Sequence, residues 1–242
     1  MDLKLSNDSI VEALFELRFN STFAMPSSAF AGLLYSKLRS EYPKFEELPA
    51  ASVPEDVRTK DPRFRYSPTH RLTGDNYSVS VGESVCVVSC RKPYGHWEQF
   101  KPKIESVLNE VKEIGVVESV ERTGLRYINI IPNGVDPKAQ FSNLQFVASL
   151  ADLDLCEYMT SIRTEIPSGR FVNIVTVSAN GEAVSSDDRE SVRGLIFDID
   201  TICKGPLLDF WSEASDLLEE AHAVEKGIFF KGLSESGKDF LK

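Results

Sequence analysis

Residues 11–20 read VEALFELRFN. Val11, Ala13, Phe15, Leu17 and Phe19 alternate with Glu12, Leu14, Glu16, Arg18 and Asn20. Successive side chains of a strand point to opposite faces, so this spacing predicts a strand with one face on a core and the other polar. Such a strand needs neighbours, and the rest of the chain supplies them.

Pro26-Ser-Ser opens a helix on which Phe30, Leu33, Leu34, Tyr35 and Leu38 recur at helical spacing, until Tyr42-Pro43 ends it. Residues 44–61, rich in Pro, Glu and Ala, read as a loop, and 63–67 as a short strand. Residues 76–81 and 84–91 read as a hairpin around Gly82-Glu83. A second helix begins at Pro93-Tyr-Gly-His, carries Trp97, Phe100, Ile104, Val107, Leu108 and Val111 on one stripe, and meets its C-cap at Gly115.

The order then repeats. Residues 116–131 form a long strand stopped by Pro132-Asn-Gly, and 141–150 a short helix. Strands 161–167 and 170–179 join at Ser168-Gly169, and a polar loop begins at Asn180-Gly181. A further strand spans 192–202, and Gly205-Pro206 leads into a helix bearing Leu207, Leu208, Trp211, Leu217, Leu218 and Ala221. The tail from residue 226 packs through Ile228, Phe229, Phe230 and Leu233. The fold class is therefore α+β. Two β-α-β-β-β-α halves, 1–115 and 116–242, are expected to form antiparallel sheets that each pack a long helix, as in a helix-grip or TATA-binding-protein-like duplication related by a pseudo-twofold.

The 242 residues are 42% hydrophobic and 26% charged, with formal net charge −10. That charge disfavours non-specific duplex binding and an anionic membrane surface. No apolar run approaches the ~20 residues that span a bilayer, and the first twenty residues lack the basic and apolar regions of a signal peptide. Cys86, Cys90, Cys156 and Cys203 lie in apolar stretches without a CxxC pair, which reads as buried thiols and a cytoplasmic location. Cys86 and Cys90 share a strand face about 13 Å apart, too far for a bridge or a shared metal.

Common catalytic signatures are missing. There is no GxxxxGK[ST], no GxGxxG after a strand, no HExxH and no GxSxG. The three histidines, His70, His96 and His222, are far apart in sequence and read as structural. Asp187-Asp188 reads as solvated surface. Trp97 with Phe100, and Phe210 with Trp211, read as core anchors, and Tyr127 as packing inward.

Two polar features stand out. Asp198 and Asp200 point to one strand face about 7 Å apart, a spacing that can hold Mg²⁺ through oxygen ligands. The plainer reading pairs them with arginines. Glu12, Glu16 and Arg18 share a face of the first strand, Arg122 and Arg126 a face of the fifth, and Arg163 and Glu165 a face of the sixth. If these faces converge they line a groove, and arginine forks suit phosphates and carboxylates. Cross-strand ion pairing on a solvated sheet is the alternative. Candidate ligand-binding residues are thus Arg18, Arg122, Arg126, Arg163 and Glu165, with Asp198 and Asp200 as candidate metal ligands.

VEALFELRF at 11–19, EYP at 41–43, YGHWEQF at 94–100, GLRYINIIP at 124–132, LIFDIDT at 195–201 and LLEEAH at 217–222 form a further set. Together they resemble a sporadically distributed prokaryotic family of about this length with no assigned function. The resemblance supplies no catalytic residues, and its patchy distribution implies a mobile-element or defence context. The leading expectation is a non-catalytic binding or interaction protein without cofactor, forming a homodimer through a sheet edge or the C-terminal helix. The alternatives are a Mg²⁺-dependent enzyme acting on a phosphate-bearing small molecule or nucleotide, and a nucleic-acid-binding module.

Overall fold

In the computed structural model, which describes residues 8–21, 25–184 and 191–241, the alternating stretch forms β1 (Ile10–Ser21). Ala13, Phe15, Leu17 and Phe19 are buried, while the residues between them are half-exposed. Helix α1 (Ser27–Leu38) follows, then β2 (Lys44–Glu47), α2 (Glu55–Lys60), β3 (His70–Thr73), β4 (Tyr77–Val81), β5 (Val85–Arg91) and α3 (Trp97–Ile114). The second half runs β6 (Val117–Ile131), α4 (Pro137–Phe141), β7 (Ser149–Leu150), β8 (Leu153–Asp154), β9 (Ser161–Ser168), β10 (Phe171–Val184), β11 (Ser191–Leu207), α5 (Phe210–Gly232) and α6 (Glu235–Leu241).

Instead of two sheets, the strands build one antiparallel sheet of nine, ordered β2-β3-β4-β5-β1-β6-β11-β10-β9, with β7-β8 as a separate pair. The seam is β1 against β6, where Ala13 lies opposite Tyr127 and Leu17 opposite Thr123. Helices α1, α3 and α5 cover one face. Phe30, Leu34, Phe100, Ile104, Val107, Leu217 and Ala221 pack there on Phe15, Leu17, Val88 and Leu125. A second cluster beneath β10 and β11 joins Val175, Val177, Phe197 and Ile199 to Phe141, Phe229, Leu233 and Leu241, which fixes the tail.

The stripe expected on α3 is the set the helix buries, and Gly115 caps it at φ +73°, a conformation glycine adopts without penalty. Several boundaries differ from the sequence reading. Residues 44–61 contain β2 and α2, and 63–67 are a turn leading to β3. The helix expected at 141–150 is the earlier α4, which Asp136 caps by accepting from the Lys138 and Ala139 amides. The polar loop at Asn180 is displaced, because β10 continues to Val184. Asp187 and Asp188 lie outside the described residues. Leu207 is not helical but ends β11 opposite Val120, after a register shift that accommodates Gly205-Pro206. Leu208 and Leu33, placed on apolar stripes by spacing, are exposed. Among the described residues no helix is long and apolar enough to cross a membrane.

Candidate functional site

Strand register brings the predicted polar residues to the helix-free face. Arg126 lies opposite Leu14 on one side and Asp200 on the other, Arg122 opposite Arg18, and Asp198 opposite Thr176, which in turn faces Arg163. Directly opposed residues share a face, so Asp198, Asp200, Arg126 and Arg163 point to the same side.

On β1, β6 and β11 these side chains form a ladder. Arg126 donates from Nε to Asp198 Oδ1 at 2.8 Å and from Nη2 to Oδ2 at 2.6 Å, a two-pronged clasp. Arg122 donates to Asp200 Oδ2 at 3.2 Å and lies 3.6 Å from Glu16 Oε1. Glu16 also accepts from Arg18, whose Nε is 2.7 Å from Oε1. The Arg18 guanidinium stacks 4.5 Å from the Tyr66 ring centroid, and Tyr66 donates its hydroxyl to Glu121. Gly124 makes room for the ladder, because a Cβ there would stand 3.0 Å from Asp200 Oδ1.

Burial pushes the Asp200 carboxyl up to about 6, with Arg122 and Arg126 pulling against the rise. The Asp198 bond raises the Arg126 pKa further. The Arg122 Nε is buried without a hydrogen-bond partner. The oxygens of Asp198 are both taken by Arg126. Among the described residues no group of three or more His, Cys, Asp or Glu is placed to hold a metal ion. Arg163 and Glu165 stand apart: they pair with each other at 3.2 Å on β9, two strands beyond Asp198.

The core face holds a second polar cluster that sequence reading did not assemble. The Tyr94 and Tyr127 hydroxyls are 2.9 Å apart, and Tyr127 Oη is 3.3 Å from His222 Nδ1. Trp97 stacks on His222 with centroids 4.3 Å apart and donates Nε1–H to Glu219, which also accepts from Lys101. One turn along α5, Glu225 is 5% exposed. Burial drives its carboxyl up to about 8 and lowers His222 to about 4, where Lys226 adds to the fall and Glu219 and Glu98 oppose it. Near neutral pH this cluster therefore carries a neutral imidazole and a protonated carboxyl. Tyr94, Tyr127 and His222 come from distant segments, so no local pattern joins them. Glu225 did carry a signal, as the one charge in the buried series Leu218, Ala221, Glu225, Phe229.

Two clefts lie elsewhere. One, of about 90 Å³, is walled by Val117, Val120, Leu207 and Trp211; the other, of about 180 Å³, by Ser27, Glu47, Arg58 and His70. Both fall below the roughly 300–1,000 Å³ of small-molecule sites. Cys86, Cys90 and Cys203 are buried thiols and Cys156 is half-buried, all four unbridged. No protein-family model matches the sequence, and comparison with curated proteins finds no match.

Proposed function

We propose that this chain is a binding protein that presents the helix-free face of its sheet to a protein partner and turns over no substrate. The observation that carries this reading is the reciprocated ladder. Arg18, Arg122 and Arg126 are matched in place by Glu16, Asp198 and Asp200. A phosphate group arriving there would meet as many carboxylates as guanidinium groups. A protein surface of alternating charges can exchange pairs with the ladder without leaving a buried charge alone, which sets register and specificity more than raw affinity. The motif resemblance supports a prokaryotic mobile-element or defence setting, and the four unbridged cysteines support a cytoplasmic location.

Photo-crosslinking from position 14, in the middle of this face, is expected to yield a discrete heteromeric product in the source cells, whereas position 33 on α1 yields none. Incubation with nucleotides and phosphate monoesters plus Mg²⁺ or Mn²⁺ is expected to give no turnover. Turnover that disappears in Asp198→Ala would establish the Mg²⁺-dependent enzyme instead, with Asp198 and Asp200 as metal ligands and Arg126 and Arg163 toward substrate.

The strand order favours one further reading. β5, β4 and β3 lie beside β1 as β11, β10 and β9 lie beside β6. This supports treating 1–115 and 116–242 as two copies of a helix-grip or TATA-binding-protein-like unit, whose shared open face is a natural place for nucleic acid. A mobility shift with DNA or RNA at ~50 mM salt that weakens as salt rises is the expected signature of that reading.

A further inference from the structure

The outer edge of β9 ends the sheet, and no described strand pairs with it. Which backbone groups it offers follows from the inner edge. Ala179 donates to the Thr160 carbonyl at 3.1 Å, and the register pairs Ser161 with Ser178 and Thr164 with Val175. Hydrogen-bonded and non-hydrogen-bonded pairs alternate along an antiparallel ladder. The inward-bonding residues are therefore Thr160, Ile162, Thr164, Ile166 and Ser168. The N–H and C=O groups of Ser161, Arg163 and Glu165 point outward, and at Pro167 only a carbonyl does.

Charged residues on an edge ordinarily discourage strand addition. Here they select one register. We propose that two copies of this chain pair antiparallel through β9 about a twofold axis at Thr164, joining their sheets edge to edge. In that register Arg163 of each copy stands opposite Glu165 of the other, and the two residues exchange both backbone bonds. Ile162 stands opposite Ile166, and Ser161 donates to the Pro167 carbonyl. A twofold at Arg163 would set arginine against arginine, and one at Glu165 would set carboxylate against carboxylate.

The exposed surface agrees. The Arg163 and Glu165 side chains are 55% and 53% exposed, and they already pair within the strand, so the twofold closes a four-membered charge cluster. Ile166 is 41% exposed on the helix side of the edge, where Ile162 of the second copy would cover it. Tyr158 and Met159, 51% and 69% exposed, run directly into the Ser161 end and would lie beside the Ser168–Phe171 turn of the second copy. Edge pairing alone buries little surface, and these apolar side chains extend it toward the area a stable interface needs.

The test is mass in solution with charge-reversed edges. Sedimentation equilibrium of the full chain is expected to show a dimer. Arg163→Glu and Glu165→Arg should each weaken it about tenfold, since each sets two like-charge pairs across the axis, and the double swap should restore it. In a Cys156→Ser background, Thr164→Cys is expected to form an intermolecular disulfide under mild oxidation, because the pair on the axis is close, with Cα atoms ~4.5 Å apart, and Arg163→Cys is not. A monomer at all concentrations, a dimer indifferent to both reversals, or linkage at 163 equal to that at 164 would overturn the proposal.

Discussion

Arg126 and Asp198 hold each other by two hydrogen bonds, of 2.8 and 2.6 Å, across the β6–β11 pair. The clasp is diagonal: Arg126 lies opposite Asp200, and Asp198 opposite Ile128. Asp200 is thereby left to Arg122, and the two arginines divide the two aspartates between them.

Breaking this clasp from one side strands a sequestered carboxylate. Arg126→Ala is expected to cost about 2 kcal/mol in urea denaturation, less than a fully buried pair because the arginine is 39% exposed. Replacing both partners with leucine is expected to leave stability within about 1 kcal/mol of the parent. A single variant as stable as the parent would show that the ladder holds nothing together.

Asp200 should make the protein less stable as pH rises. Its folded-state value of about 6 exceeds the ordinary 3.8, so between these limits the folded chain binds more protons than the unfolded one, and stability falls with rising pH. Asp200→Asn is expected to flatten this fall and to gain about 1–2 kcal/mol at pH 7 relative to pH 4. Denaturation midpoints of both proteins at the two pH values provide the check.

His222 and Glu225 act in opposite directions. A histidine lowered to about 4 makes stability rise between pH 4 and 6.5, whereas a glutamate raised to about 8 makes it fall between pH 4.5 and 8. They offset each other up to about pH 6.5, and above it Glu225 acts alone, giving a loss on the order of 2 kcal/mol by pH 8. Glu225→Gln should abolish that loss, and below pH 6.5, where the His222 rise then opposes only the Asp200 fall, leave stability nearly level. Stability measured from pH 4 to 9 in parent and variant distinguishes the two residues.

Tyr127→Phe removes the hydroxyl that joins Tyr94 to His222. It leaves the Tyr94 hydroxyl without its partner, and a cost of about 1–2 kcal/mol is expected, with little change in fold. The Trp97–His222 stack should persist, which tryptophan fluorescence can follow.

Gly124→Ala should loosen the ladder without touching a charge. The added methyl stands 3.0 Å from Asp200 Oδ1, so the carboxylate must shift. An expected cost of about 1 kcal/mol, absent when Asp200 is also alanine, would identify the contact.

Elements half in and half out of the core were legible, because only they carry a periodic contrast. β1 buries Phe15 and Leu17 and leaves Glu16 and Arg18 half-exposed, and α3 shows the same contrast at helical period. Lys44–Glu47 was not, since all four residues of this edge strand are exposed. Apolar continuity misplaced the start of α5, where Leu207 completes the sheet and Leu208 faces outward. The common face of Arg126, Arg163, Asp198 and Asp200 could be posed from alternation within each strand but required the register between strands to settle. That Arg126 takes Asp198 rather than the opposed Asp200 depends on side-chain reach, which no spacing encodes.

The seam between β1 and β6 also constrains the order of assembly during synthesis. Ile10 pairs with Asn129 and Ser21 with Val117. When the first 115 residues leave the ribosome, β1 can dock on β5 at once, but its opposite flank stays bare until the β6 segment emerges. For that interval the nascent chain offers a long unsatisfied backbone beside Phe15 and Phe19, an opening for any stray strand. Arg18, and the polar side chains around it, then guard the growing polypeptide against its neighbours before they serve the finished one.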